Sequence, residues 1–322
     1  MKHIFIINPK AGHKSPEEYL ENALKKYEGK LDYEIHVTKT KEDGKKIVSD
    51  YLKEHNDEKV RFYAAGGDGT FYDLVNGADL SPRVEYASLA LGSGNDFVKG
   101  FTNYEGFSDV DKMINGKVEK IDVIEVNGHY YMNIGNFGFD GKVVYNTGKI
   151  KRWPLMTGKS AYLIAAAATI LGKINSKMKV VIDGKEVKNG KVLLAAVGNG
   201  CYCGGSFLCT PHAEMNDGLI DVCLVNGIHK YQLASLMKVY RNGQHLKDKR
   251  TKKLMTYYHC HTLEISSDKD IVGSLDGEVM LEKNFRFRIV PSAISVVIPQ
   301  DSDIRLDPDK ASLDQEVVTV KD

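Results

Sequence analysis

The stretch Val60-Arg-Phe-Tyr-Ala-Ala-Gly-Gly-Asp-Gly-Thr-Phe-Tyr-Asp-Leu-Val-Asn-Gly77 changes its hydrophobic period halfway along. Val60–Ala65 is an apolar-rich run of strand length, whereas Phe71–Gly77 has helical spacing. Between them, Gly66, Gly67 and Gly69 fall within four positions, and glycine allows both close backbone approach and positive φ. Amides in such a bend can turn inward on an anion, with the positive end of the following helix behind them. A phosphate is the expected ligand. Asp68 would repel it unless a divalent cation stood between them, so Asp68 is assigned a role with Mg²⁺ and a nucleotide, and Thr70 that of hydroxyl donor. A plain turn would account for Gly66-Gly67 taken alone.

Working outward, the same grammar recurs. Ile4–Ile7 reads as a strand and leads into Asn8-Pro9-Lys10-Ala11-Gly12, with helical spacing over Pro16–Tyr27. Tyr33–Thr38 is a strand and Gly44–His55 a helix. Ser88–Leu91 is a strand followed by Gly92-Ser93-Gly94-Asn95-Asp96, with a helix expected from Asn95. Strands alternating with helices predict a doubly wound parallel sheet over residues 1–122. Loops at the carboxyl ends of such strands line one crevice, and three small-residue loops there exceed what turn geometry requires.

Beyond residue 122 the texture changes. Ile121–Val126, Asn127-Gly128 and His129–Asn133 read as a hairpin with a type I′ turn. Asp183-Gly184, Asn189-Gly190, Asn226-Gly227 and Asp276-Gly277 repeat that signal between short apolar runs. Residues 123–298 are therefore expected to form an antiparallel β-sandwich, interrupted by helices near 158–172 and 229–242. The segment 299–322 is expected to rejoin the first domain.

Composition narrows the class. The 322 residues are 42% hydrophobic and 27% charged with a net charge of +1, which suits two globular domains and carries no bulk bias toward nucleic acid. The apolar run Ala161–Leu171 is short of the roughly 20 residues a membrane span needs. Five cysteines, at 201, 203, 209, 223 and 260, and a start that resembles no signal peptide predict reduced, buried thiols in a cytoplasmic protein. The spacing Cys201-x-Cys203 is too tight for an ordinary zinc pair.

Taken in order, Asn8-Pro9-x-x-Gly12, Gly66-Gly-Asp-Gly-Thr70 and Gly92-Ser-Gly-Asn-Asp-Phe97 closely resemble the diacylglycerol kinase catalytic family. Asn133–Asp140, Gly198-Asn-Gly200, Gly204-Gly205, Pro211-x-Ala213, Asp217-Gly218 and Asp276-Gly-Glu278 extend the likeness over nearly the whole chain. The family includes bacterial soluble lipid kinases and sphingosine and ceramide kinases, with catalysis in a cleft between two domains. The resemblance implies ATP-phosphate contacts at Asn8, Pro9, Lys10, Ala11 and Gly12, and at Gly66, Gly67, Asp68, Gly69, Thr70, Phe71 and Tyr72. Thr38 (with Thr40 close by) and Ser93 stand where relatives contact nucleotide, and Asn95 and Asp96 complete the third loop. Glu278 matches the catalytic base, with Asp276 beside it and Asp68 across the cleft. A base is also what the chemistry requires, since a lipid hydroxyl is a poor nucleophile until its proton is taken. A hairpin turn would account for Asp276-Gly277 as well.

The resemblance also implies a structural Mg²⁺ held by Glu214, Asp217 and Leu219. Departures from the family are Asp73 for glutamate, Ser93 for threonine, and Ser88-Leu-Ala-Leu91 without proline; the last affects the third loop's conformation. Lys247, Lys249, Arg250, Lys252 and Lys253, preceded by His245, and Lys149, Lys151, Arg152 and Trp153 are candidate contacts with an anionic lipid surface. The expected partner is thus a lipid at a membrane touched peripherally. An exposed sandwich edge could pair in a homodimer. Two other readings stay open: a kinase resembling NAD kinase, which shares Gly-Gly-Asp-Gly-Thr, and a non-catalytic nucleotide- or lipid-binding protein.

Overall fold

A computed structural model describes residues 1–12, 15–150, 158–307 and 317–319. The first domain runs β1 (Lys2–Ile7), α1 (Pro16–Leu24), β2 (Tyr33–Val37), α2 (Asp43–Glu54), β3 (Val60–Gly66), α3 (Asp68–Ala78) and β4 (Val84–Ala90), then the short α4 (Val110–Ile114). α1 starts where Ser15 accepts the Glu18 amide and Pro16 fills the first turn, where its missing N–H costs nothing. β3 is buried along its whole length, as a central parallel strand must be. The strands lie parallel in the order β2-β1-β3-β4. The winding direction therefore reverses between β1 and β3, and the loops after these two strands flank that switch point.

The second domain follows as β5 (Lys117–Val126), β6 (His129–Tyr131), β7 (Ile134–Gly138), α5 (Phe139–Ile150), α6 (Gly158–Leu171), β8 (Ser176–Ile182) and β9 (Lys185–Gly198). The short β10 (Tyr202–Cys203) and β11 (Phe207–Leu208) precede β12 (Ile220–Asn226), α7 (Lys230–Arg241), β13 (Met255–Cys260), β14 (Thr262–Leu275), β15 (Glu278–Ile298) and β16 (Val317–Thr319). The long strands β9 and β14 each pair with β7 along one half and with β8 along the other. That exchange folds the antiparallel sheet over on itself as a sandwich, with Phe137, Phe285 and Phe287 packed inside.

Four expectations need correction. The two domains are not separated at 122 and 298: β15 runs through both. Its Ser295–Val297 pairs in parallel with Glu85–Ala87 of β4, and β5 follows it antiparallel on the other side. The bend between the halves is a bulge from Val290 to Ile294, where Ser292 takes φ 50° and buried Asp122 accepts its amide at 2.6 Å. The tail also divides. Residues 301–305 pack on the first domain through Thr102, Lys112 and Gly100, whereas β16 adds a parallel edge strand to β13 of the second. Finally, Asn189-Gly190 lies inside β9 and is no turn, and no α-helix starts at Asn95; only a 3₁₀ turn forms, over Phe97–Gly100. The Asn127-Gly128, Asp183-Gly184 and Asp276-Gly277 turns form with positive φ at both residues, as the hairpins require.

Candidate active site

The three small-residue loops meet. The Gly66 carbonyl accepts the amides of Leu91 (2.9 Å) and Gly92 (2.8 Å), and the Asn8 amide donates to Ala65 at 3.0 Å. A Cβ on Gly12 would collide with the Leu91 carbonyl, and one on Gly92 would stand 2.5 Å from Gly67 Cα. Glycine is needed here chiefly for space. Of the Gly66, Gly67 and Gly69 expected at positive φ, none adopts it; Gly67 sits at φ −106° and α3 begins at the next residue. What the bend offers an anion is thus the first turn of a helix and not a left-handed nest.

That turn faces a cavity of about 350 Å³ lined by Asn8, Pro9, Lys10, Thr38–Lys41, Gly44, Gly67, Gly69, Thr70, Asp73 and Glu278. Glu278 comes from the β14–β15 hairpin of the second domain, so both domains build one site. A Cβ on Gly69 would be 3.5 Å from the Glu278 carboxylate, a close approach over the helix end. Lys41, largely exposed, forms an ion pair with Glu278. Lys10, Lys39 and Lys41 supply the positive charge a polyphosphate needs.

The carboxylates differ sharply. Asp276, at φ 46°, accepts the amides of Met132 (2.9 Å), Asn133 (3.2 Å) and Ile134 (2.9 Å). Burial nevertheless pushes its carboxyl up to about 7, with a smaller contribution from the nearby Asp68 charge. Asp68 accepts the amides of Asp96 (2.9 Å) and Phe97 (3.1 Å), and burial raises its carboxyl too. Asp73 is raised to about 7 by burial first and by the Glu278 charge second. Burial is the leading cause for all three; only Asp73 among them lines the cavity, beside Glu278, and those are the hard oxygens a Mg²⁺ entering with a nucleotide would meet.

Several expected residues do other work. Phe71 is buried and stacked on Phe97, so its side chain belongs to the core. Tyr72 is buried with its hydroxyl 3.5 Å from His129 Nδ1, away from the cavity lining. Asn95 takes φ 49° and ties its amide to the carbonyls of Ala90 and Gly92, bracing the third loop from within. Asp96 binds Lys99 and accepts the Gly205 amide at 2.8 Å, which makes it a link between domains. Ser93 is exposed at the loop tip, and Ala11 does not line the cavity. Thr38 does line it, although its hydroxyl donates to Ile7.

The expected metal ligands in the second domain make these contacts. Glu214 accepts the Asp307 amide, Asp217 accepts the Leu219 amide, and Gly218 donates to Asp122. Among the described residues no three His, Cys, Asp or Glu side chains gather as metal ligands. The turn is anchored on Asp122 through the Gly218 amide. Of the two basic clusters, Lys247, Lys249, Arg250, Lys252 and Lys253 are exposed but His245 is fully buried; Lys151, Arg152 and Trp153 lie outside the described residues. Sequence reasoning missed Lys41 and gave Asp73 no role in the site. Asp73 was detectable, because it lies four residues beyond Gly69 and so on the same helix face.

Comparison with known proteins agrees with this architecture. Residues 2–126 match the family described as diacylglycerol kinase catalytic domain, and residues 134–298 match the YegS C-terminal NAD kinase beta sandwich-like domain. A diacylglycerol kinase of Bacillus subtilis (strain 168) is 26% identical over 308 residues, covering 94% of this chain and 98% of that protein. A probable lipid kinase YegS-like protein of Shewanella frigidimarina is 28% identical over 250 residues, 76% of this chain and 78% of its own. A crystal structure of a diacylglycerol kinase from Bacillus anthracis str. Sterne superposes with a TM-score of 0.66 at 20% identity, covering 92% of this chain and 96% of that one. It shares the fold.

Proposed function

Because the chain belongs to the diacylglycerol kinase catalytic family, we propose that it transfers the γ-phosphoryl group of ATP to the hydroxyl of diacylglycerol or a similar lipid alcohol. One observation carries this reading. Glu278 of one domain shares a cavity with the α3 N-terminus and the Asn8 loop of the other. The helix end and Lys10, Lys39 and Lys41 bind and orient the polyphosphate. Glu278 takes the proton of the acceptor hydroxyl once Lys41, which is free to swing outward, lets it go. Asp276 holds the hairpin that presents Glu278. Mg²⁺, when bound beside Asp68, would offset the phosphate charge.

A second cavity supports a lipid acceptor. It measures about 450 Å³ and has mostly apolar walls, among them Phe139, Val143, Tyr162, Ile170 and Phe207. Asn136 lines it and lies two residues along β7 from Ile134, whose carbonyl accepts the Asp276 amide. An acyl chain lodged there would bring a headgroup hydroxyl toward the hairpin. On α6, Leu163 at the cavity's edge is 69% exposed and Leu171 81%, and apolar side chains so presented suit contact with a lipid surface. NAD, a polar acceptor, would leave these apolar features without a role.

The test is incubation of the protein with labelled ATP and Mg²⁺ against diacylglycerol, ceramide and sphingosine vesicles, with NAD in parallel. Label is expected in one lipid alcohol and absent from NAD. Label in NAD alone would overturn the reading.

A further inference from the structure

We propose that Cys203 and Cys209 form a reversible disulfide under peroxide, covalently pinning the hairpin that clamps the two domains together. The hairpin is β10 and β11, joined through Gly204-Gly205-Ser206. Cys203 pairs with Phe207, and the Cys209 amide donates to the Cys201 carbonyl at 2.9 Å, so the strand pairing continues past β11. The two thiols are thereby diagonal neighbours, with sulfurs 2.7 Å apart. A disulfide needs about 2.05 Å, so closure requires a shift of well under 1 Å. Among the described residues the other three cysteines are buried, with Cys201 bonded to the Ala213 carbonyl and Cys260 set against that of Ile220.

The two thiols differ in access. Cys203 is half-buried and lines the apolar cavity, where a small oxidant can reach it. Cys209 is fully buried, and burial pushes its thiol well above the ordinary range. Cys203 therefore reacts first. Its sulfur attacks one oxygen of hydrogen peroxide, the O–O bond breaks, and water leaves with a sulfenic acid on Cys203. The Cys209 sulfur then displaces the hydroxyl, giving the disulfide and a second water. Two thiol protons and two electrons have passed to the peroxide.

The position of the pair gives the bond a consequence. Gly205 donates its amide to the Asp96 carboxylate, and its carbonyl accepts Lys99 Nζ at 2.7 Å. Asp96 in turn donates its amide to Asp68. The pinned hairpin is thus two hydrogen bonds from the carboxylate beneath the cleft, and one of its sulfurs sits in the wall of the second cavity. No requirement for lipid or nucleotide enters the chemistry, so the proposal stands apart from the kinase reading.

The full-length protein is treated with hydrogen peroxide, alkylated, and digested without reduction. Most chains are expected to yield a peptide with Cys203 linked to Cys209, lost on treatment with dithiothreitol and absent from Cys203→Ser. Hydrogen exchange at the Gly205 amide is expected to slow by about tenfold in the oxidised protein. Cys203→Ser changes a half-buried position and spares the core, so its folding does not depend on the buried Cys209. Recovery of sulfinic Cys203 beside an unmodified Cys209, or linkage of either residue mainly to another cysteine, would overturn the proposal.

Discussion

Asp276 and Glu278 stand two residues apart on one hairpin, and their surroundings are opposite. Asp276 is enclosed by three backbone amides, while Glu278 projects into the cleft with a largely exposed lysine as its partner. A carboxylate whose lone pairs are occupied by fixed amides is a brace; one paired with an exposed cation is available to a substrate. The hairpin therefore separates positioning from chemistry over the span of one glycine.

The largest expected effect tests the second half of that contrast. Glu278→Gln keeps shape and removes the proposed base, so turnover should fall by about 10²–10⁴-fold. Thermal stability and ATP affinity should stay close to wild type, as measured by calorimetry and nucleotide titration. Wild-type turnover in this variant would place the base elsewhere. Asp276→Ala should behave differently. Three amides lose their acceptor, a cost of about 2–4 kcal/mol, so the melting temperature itself should drop along with turnover. An Asp276→Ala protein with unchanged melting and a large turnover loss would make Asp276 a reactant and erase the distinction.

A smaller effect concerns how the other domain is built. Gly92→Ala places a methyl group 2.5 Å from Gly67 Cα and must push two of the glycine loops apart, which costs about 1–3 kcal/mol. ATP affinity should weaken with it, read by titration. Gly128→Ala meets no neighbour and changes only a turn at φ 82°, so it should cost stability modestly and leave affinity alone.

The loops and the hairpins were legible because short-range signals specify them: a strand's end, glycines, a helix start, and Asp-Gly or Asn-Gly between apolar runs. Asn127-Gly128 and Asp276-Gly277 turned out as read, and so did the alternation of strands and helices up to β4. What failed depended on partners distant in sequence. Asn189-Gly190 carries a turn signal, but β8, paired with it through Lys179 and Met178, holds it extended within β9. Pro291 interrupts the apolar pattern of β15, so nothing local announces that one 21-residue strand serves both domains. That bend is held by Asp122, some 170 residues earlier in the chain. Asn95 looked like a helix start and is instead bound back onto its own loop. Glu278 was singled out through resemblance and chemistry, but Lys41 was not, since its meaning exists only where the second domain meets the first.

The smallest effect sharpens the comparison by extending it to a third carboxylate. Asp73 lies between the two extremes: half-buried, uncapped by amides, and facing Glu278. Its carboxyl is raised in the folded protein from an ordinary value near 4 to about 7, so the folded state holds a proton that the unfolded state releases. The stability linked to this group is fully present below pH about 4 and is lost as pH rises through about 7. Asp73→Asn has no such proton to lose. Its stability should therefore gain on wild type between pH 4 and 7 and run parallel above that, by about 1–2 kcal/mol once solvent screening is allowed for, read from melting at each pH. Because the Glu278 charge is the second cause of the shift, Glu278→Gln should narrow that window by lowering its upper end. If the two melting curves ran parallel across the whole range, Asp73 would be solvated, and the cleft floor would be no more crowded with charge than an open surface.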